Sequence, residues 1–114
     1  MTAEFTSRPG LRLAAGGGGA PGLDGVPVLE VRGEVDLANA RELDEAIGRT
    51  AGAGGPVAVD LSGVGYLDSA AVRVLFEHAV ARELHLLVPA RGVVVPVVAV
   101  SGLAEVATVH RRAG

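Results

Sequence analysis

Asp60-Leu61-Ser62-Gly63-Val64-Gly65-Tyr66-Leu67-Asp68-Ser69-Ala70-Ala71-Val72 holds a strand end, a turn of small residues and a helix start in one short stretch. Just upstream, Val57-Ala58-Val59-Asp60-Leu61 is an apolar run of strand length, the pattern of a buried central strand. Ser62-Gly63-Val64-Gly65 reads as a turn. Asp68 and Ser69 stand where a helix N-cap is expected, because short polar side chains there accept from orphan amides. Downstream, Val72, Leu75, Phe76 and Ala79 recur at helical spacing, so a helix lies within Ala70–His85. Leu86-Leu87-Val88 is a further short strand, closed by Pro89.

Towards the N-terminus, Val26–Val35 alternates. Val28, Glu30, Arg32 and Glu34 share one side, and Leu29, Val31, Gly33 and Val35 the other, as in a half-buried strand. Asp36-Leu37-Ala38-Asn39 then opens a helix. Either Asp36 or Asn39 can cap it, and Glu42 follows Asn39 at capping-box spacing. Leu43 and Ile47 form its inward stripe, while Arg41, Glu42, Asp44, Glu45 and Arg49 cover the outside. Gly52–Pro56 ends it. Leu11-Arg12-Leu13 is a short strand candidate, Met1–Gly10 reads as frayed, and Gly16–Gly25 as a flexible turn. The chain thus divides into a poorly ordered N-terminal strand and Gly-rich loop, 1–25, and a folded domain, 26–110. The Gly-rich loop is no phosphate cradle: it lacks the fixed glycine spacing of a dinucleotide site and the lysine of a P-loop.

The tail is ambiguous. Val93-Val94-Val95-Pro96-Val97-Val98-Ala99-Val100 reads as strand by propensity. Gly102, however, suits a helix C-terminus, and Pro96 is acceptable in the first turn of a helix or on an edge strand. Alternating strands and helices imply right-handed crossovers and a largely parallel sheet covered by helices. The fold class is α/β, and 114 residues fit one domain.

Composition excludes several functions. Net charge is -3, and all ten basic residues are arginines scattered along the chain, so the footprint of a nucleic-acid binder is missing. There is no cysteine, hence no disulfide framework, thiolate zinc site or Cys nucleophile. No signal peptide is evident, and the apolar stretch Gly92–Val100 is too short to span a membrane. The expected location is the cytoplasm.

No catalytic set emerges. His78 and His85 are about two helical turns apart, too far to chelate without further ligands, and read with His110 as surface or rim histidines. No metal or cofactor is expected. Asp60 reads as a turn or cap acceptor. Ser69 lies outside a G-x-S-x-G elbow, and Asp68 directly beside it cannot serve as a triad base. Asp68-Ser69 is explained by capping alone. It is also a place where a hydroxyl meets partners and where phosphate is favoured by free amides and the helix dipole, while Asp68 opposes it by repulsion. Phosphorylation there changes the surface by about -1.5 to -2 charges.

Four landmarks in order resemble the STAS domain of bacterial anti-sigma factor antagonists, over Val26–Ala107. They are Gly33-Glu34-Val35-Asp36, Asp60-Leu61-Ser62-Gly63-Val64, Tyr66-Leu67-Asp68-Ser69 and Ser101-Gly102-Leu103. The resemblance implies a mixed four- to five-stranded sheet with helices packed mainly on one side. It implies a helical Val93–Val100, which is adopted here because tertiary context overrides propensity. It implies that the protein is not an enzyme and that its partner is an anti-sigma factor with serine kinase activity. Phosphorylation of Ser69 by that kinase would inactivate the protein, and the unphosphorylated form would release the sigma factor. The implied partner-binding residues are Asp36, Asn39, Asp68, Ala70, Val72 and Arg73. The alternative is a constitutive STAS scaffold in a multi-protein complex, without phospho-switching. The chain departs from the family in carrying Ala70 and Ala71 where a second hydroxyl and a glycine are usual, which leaves Ser69 as the site's one hydroxyl. It also carries a Val-rich stretch in place of a polar last helix, a face suited to a permanent partner or weak self-association.

Overall fold

The computed structural model describes residues 3–8, 10–16 and 22–112. Half of the expected Gly-rich loop, residues 17–21, falls outside these. The elements run β1 (Ala3–Arg8), β2 (Leu11–Gly16), β3 (Val28–Val35), α1 (Ala40–Ala51), β4 (Val57–Leu67), α2 (Ser69–Ala81), β5 (Leu84–Val88), α3 (Val94–Ser101), α4 (Leu103–Val106) and β6 (Thr108–Arg111). Among the described residues they form one six-stranded sheet whose spatial order is the chain order. β1–β2 and β2–β3 pair antiparallel, while β3–β4, β4–β5 and β5–β6 pair parallel. The fold class is as expected, a mixed sheet in an α/β domain. The backbone pairing of β1 with β2 extends it into residues read from sequence as frayed.

The one-sided packing follows from topology. Each crossover steps to the next strand in the same direction, and crossovers are right-handed, so all helices fall on one face of the sheet. That face carries the core. Leu11 and Leu13 of β2, Leu29 and Val31 of β3, Val57, Val59 and Leu61 of β4, and Leu84 and Leu86 of β5 pack beneath Leu43 and Ile47 of α1 and Leu75 of α2. Leu43, Ile47 and Leu75 are each 0% exposed, and burying a side chain of that size contributes about 1.5–3 kcal/mol. The opposite face is covered only in part, where Leu23 sits on Val28, Ala58 and Leu87.

Three expectations change and one, the third below, is borne out. First, Ser62–Gly65 is not a turn. β4 runs on to Leu67, pairing Arg32 with Gly63, Gly33 with Val64 and Glu34 with Tyr66, with register shifts after Glu30 and after Gly33. Gly65 is the extra residue of the second bulge and Gly63 borders the first, and such bulges take up extra residues without ending the strand. Asp60 supports the first bulge by accepting from Ser62 N at 2.9 Å, and its other oxygen pairs with Arg112 at 3.2 Å. Second, the buried stripe of α2 is Ala71, Val74, Leu75 and His78, whereas Val72, Phe76 and Ala79 are only partly buried. Third, α3 is helical, as the family resemblance implies and propensity does not. Pro96 lies in its first turn, where the missing N–H has no intrahelical partner to lose. Gly102 turns the chain left-handed (φ 86°) between α3 and α4. Val93 and Val100 stay 55% and 85% exposed.

Fourth, His78 is not a surface or rim residue, whereas His85 and His110 are half-buried. His78 is 8% exposed and its Nε2 lies 2.6 Å from Asp44 Oδ1, joining α2 to α1. Its Nδ1 is buried with no partner. Asp44→Ala leaves both ring nitrogens of a buried imidazole unpaired, so it is expected to cost about 1–3 kcal/mol in urea unfolding. A loss below about 0.5 kcal/mol would show that the pair adds nothing. On the open face, His85 Nδ1 is 3.0 Å from His110 Nε2, and His85 Nε2 is 2.7 Å from Glu83.

Candidate functional site

The site lies where the C-terminal ends of β3 and β4 deliver two neighbouring helix starts. Asp68 N bonds Val35 O at 3.1 Å, which fixes the end of β4 beside the end of β3. The chain then enters α2 through Asp68, whose extended backbone (φ -96°, ψ -175°) is that of an N-cap. Asp68 Oδ1 accepts from Ala70 N at 2.9 Å and from Ala71 N at 3.1 Å. Its Oδ2 accepts from Leu37 N at 3.1 Å. One carboxylate therefore joins the start of α2 to the β3–α1 loop.

Ser69 is the first residue of α2 and is exposed. The capping role falls to Asp68, and no hydrogen bond is made by the Ser69 hydroxyl. The cap and the exposed hydroxyl thus belong to different residues.

The β3–α1 loop is held from within. Asp36 Oδ1 accepts from Ala38 N at 2.9 Å. Asn39 does not cap α1 through its side chain. It turns back instead: its Oδ1 accepts from Asp36 N at 2.9 Å and its Nδ2 donates to Glu34 O at 3.0 Å. The first amides of α1 are met by backbone, with Ala40 N on Asp36 O at 2.8 Å. The capping box expected from Asn39 and Glu42 thus loses its first half. The cause is local: the β-strand end leaves Glu34 O and Asp36 N in need of partners, and Asn39 is the side chain within reach.

Of the residues implied as partner-binding, the fold brings Asp36, Asp68 and Ala70 together around Ser69. Asn39 is 9% exposed and faces inward, so it serves the site by holding the loop. Val72 packs partly against the core. Arg73 is exposed on the next part of α2 and pairs with Glu77 at 3.5 Å. Sequence reasoning missed Leu37 and Tyr66, which are 81% and 51% exposed. The signal for Leu37 was present: a large apolar residue between two turn formers, with no helical or strand stripe to join. Among the described residues, no group of three or more His, Cys, Asp or Glu side chains could hold a metal ion. No helix among them is long and apolar enough to cross a membrane.

A singly wound mixed sheet with helices on one face is the architecture of a STAS domain. Residues 22–110 match the family described as "Mlab, STAS domain", and the chain belongs to that family. Among solved structures, an anti-sigma factor antagonist from Mycobacterium paratuberculosis superposes with a TM-score of 0.67. It is 20% identical, over 96% of this chain and 86% of the other. At that identity the likeness concerns the fold. No curated protein matches the chain.

Proposed function

We propose that this protein is a cytoplasmic anti-sigma factor antagonist, a binding module and not an enzyme. Its partner is an anti-sigma factor with serine kinase activity. The unphosphorylated form captures that partner and frees the sigma factor, and phosphorylation of Ser69 ends the capture. The observation that carries this reading is the Ser69 hydroxyl, exposed, unbonded and released from capping by Asp68. A serine that only capped its helix would have its oxygen on an amide. The solved anti-sigma factor antagonist that shares the fold supports the reading. The net charge of -3 and the scattered arginines argue against nucleic acid as the partner.

The test is intact mass after incubation with anti-sigma kinases of the source organism and Mg-ATP. One added phosphate is expected, and it should be absent in Ser69→Ala. Capture of such a protein with no added mass would instead favour a constitutive scaffold.

A further inference from the structure

We propose that Leu37 is the residue through which the partner reads the state of Ser69, with Asp68 as the coupling between them. The inference rests on Ser69 being the modified residue, as proposed above.

Leu37 is 81% exposed, yet its backbone is fixed from three directions. Asp36 holds Ala38 N, Asn39 holds Asp36 N, and Asp68 Oδ2 holds the amide of Leu37 itself. A large apolar side chain kept in water by an ordered backbone is placed as a binding anchor, because little ordering remains to be done when a partner closes over it.

Two of the three ties lie within the loop. The third crosses to the residue beside Ser69, and it is the one a phosphoryl group can reach. Phosphate at Ser69 brings about -1.5 to -2 charges next to Asp68. It also competes for the amides at the start of α2, where an anion is favoured by free N–H groups and the helix dipole. Asp68 holds two of those amides through Oδ1 and only one, Leu37 N, through Oδ2. Repulsion is relieved at least cost by rotating Oδ2 away, which gives up a single bond outside the helix dipole. The loop then loses its tie to α2, and the Leu37 backbone loses one of its three anchors. The modification is thereby read as a loosened anchor as well as an added charge.

Phosphoserine installed at position 69 by an expanded genetic code tests this in the full chain without any kinase. The readout is exchange of the Leu37 amide, followed by NMR. Exchange is expected to rise at least about tenfold on phosphorylation, the change that loss of one hydrogen bond of about 1.4 kcal/mol produces. Amides of β4 should be unchanged. Asp68→Asn is the second arm. Asparagine keeps the Oδ1 acceptor for Ala70 and Ala71 but presents an NH2 group to Leu37 N, so it should free Leu37 in the unmodified protein while α2 stays capped. An unchanged Leu37 amide in either form overturns the coupling. Failure to find any phosphorylating partner overturns the functional reading instead, so the two failures are distinguishable.

Discussion

Gly33→Ala is expected to destabilise the domain by about 3 kcal/mol, the largest effect of a Gly→Ala change among the described glycines. Two costs combine. Gly33 has φ 97°, outside the range L-residues favour, which costs an alanine roughly 1–2 kcal/mol. A Cβ there would also stand 2.2 Å from Gly10 O and 2.9 Å from Gly10 C. Those atoms are backbone, and Gly10 O accepts from Glu34 N. The β1–β2 turn must therefore retreat and carry with it Leu11, which is 1% exposed. Overpacking of that kind adds about 1–3 kcal/mol. In a domain with a total of about 5–15 kcal/mol, the urea midpoint should fall visibly. Gly65→Ala is the control, since Gly65 has no atom within 4 Å of an added Cβ and no positive φ. It should change stability by less than about 0.5 kcal/mol. Equal effects of the two substitutions would mean that the close approach of Gly10 to β3 does not exist in solution.

The same glycine matters to the site, since Gly33 is followed at once by Glu34, Val35 and Asp36, the residues that anchor the β3–α1 loop. A strand that shifted at Gly33 would move Leu37 relative to Asp68. The bulges on β4 and the tight contact on β3 are thus a positioning device, and neither was legible in the sequence. Ser62–Gly65 looks like a turn because small residues and glycine mark turns and bulges alike. Only the partner strand decides between them. In the Val-rich segment, propensity alone points to strand, and the helix adopted from the family resemblance is the one that forms. Its β-branched residues favour strand, but Val94 and Val98 find a helix-covered core and Pro96 finds a first turn. By contrast, β3, α1 and the strand Val57–Leu61 were readable because alternation, helical spacing and an unbroken apolar run are each local signals. At the site, the helix start at Asp68-Ser69 was legible. The division of labour between the two residues was not, because it depends on Leu37 arriving from β3 to take the second carboxylate oxygen. His78 was misjudged for a like reason: its partner Asp44 lies on another helix.

If the proposed function holds, Ser69→Asp is expected to weaken capture of the proposed anti-sigma partner at least about tenfold, or about 1.4 kcal/mol, while Ser69→Ala keeps capture and makes it insensitive to ATP. The pair is informative because neither change should disturb folding. Ser69 is exposed and its hydroxyl makes no hydrogen bond, so alanine should alter stability by no more than about 0.5 kcal/mol. Had Ser69 been the cap, the loss would be about 0.5–2 kcal/mol and binding would be confounded with fraying of α2. Aspartate at the first helical position gains from the helix dipole, by about 0.3–1 kcal/mol, and loses to the neighbouring Asp68 carboxylate, so its net effect on the fold is small. What changes is the surface. A new negative charge stands beside the Leu37 loop, where an interface complementary to the unmodified form must desolvate it or meet it with like charge. Binding by titration calorimetry, with unfolding curves for all three proteins, checks both halves. Wild-type affinity in Ser69→Asp would remove the switch and leave a constitutive binding domain. Loss of affinity in Ser69→Ala would mean that the hydroxyl itself is a contact, and that phosphorylation acts by destroying that contact and not by adding charge.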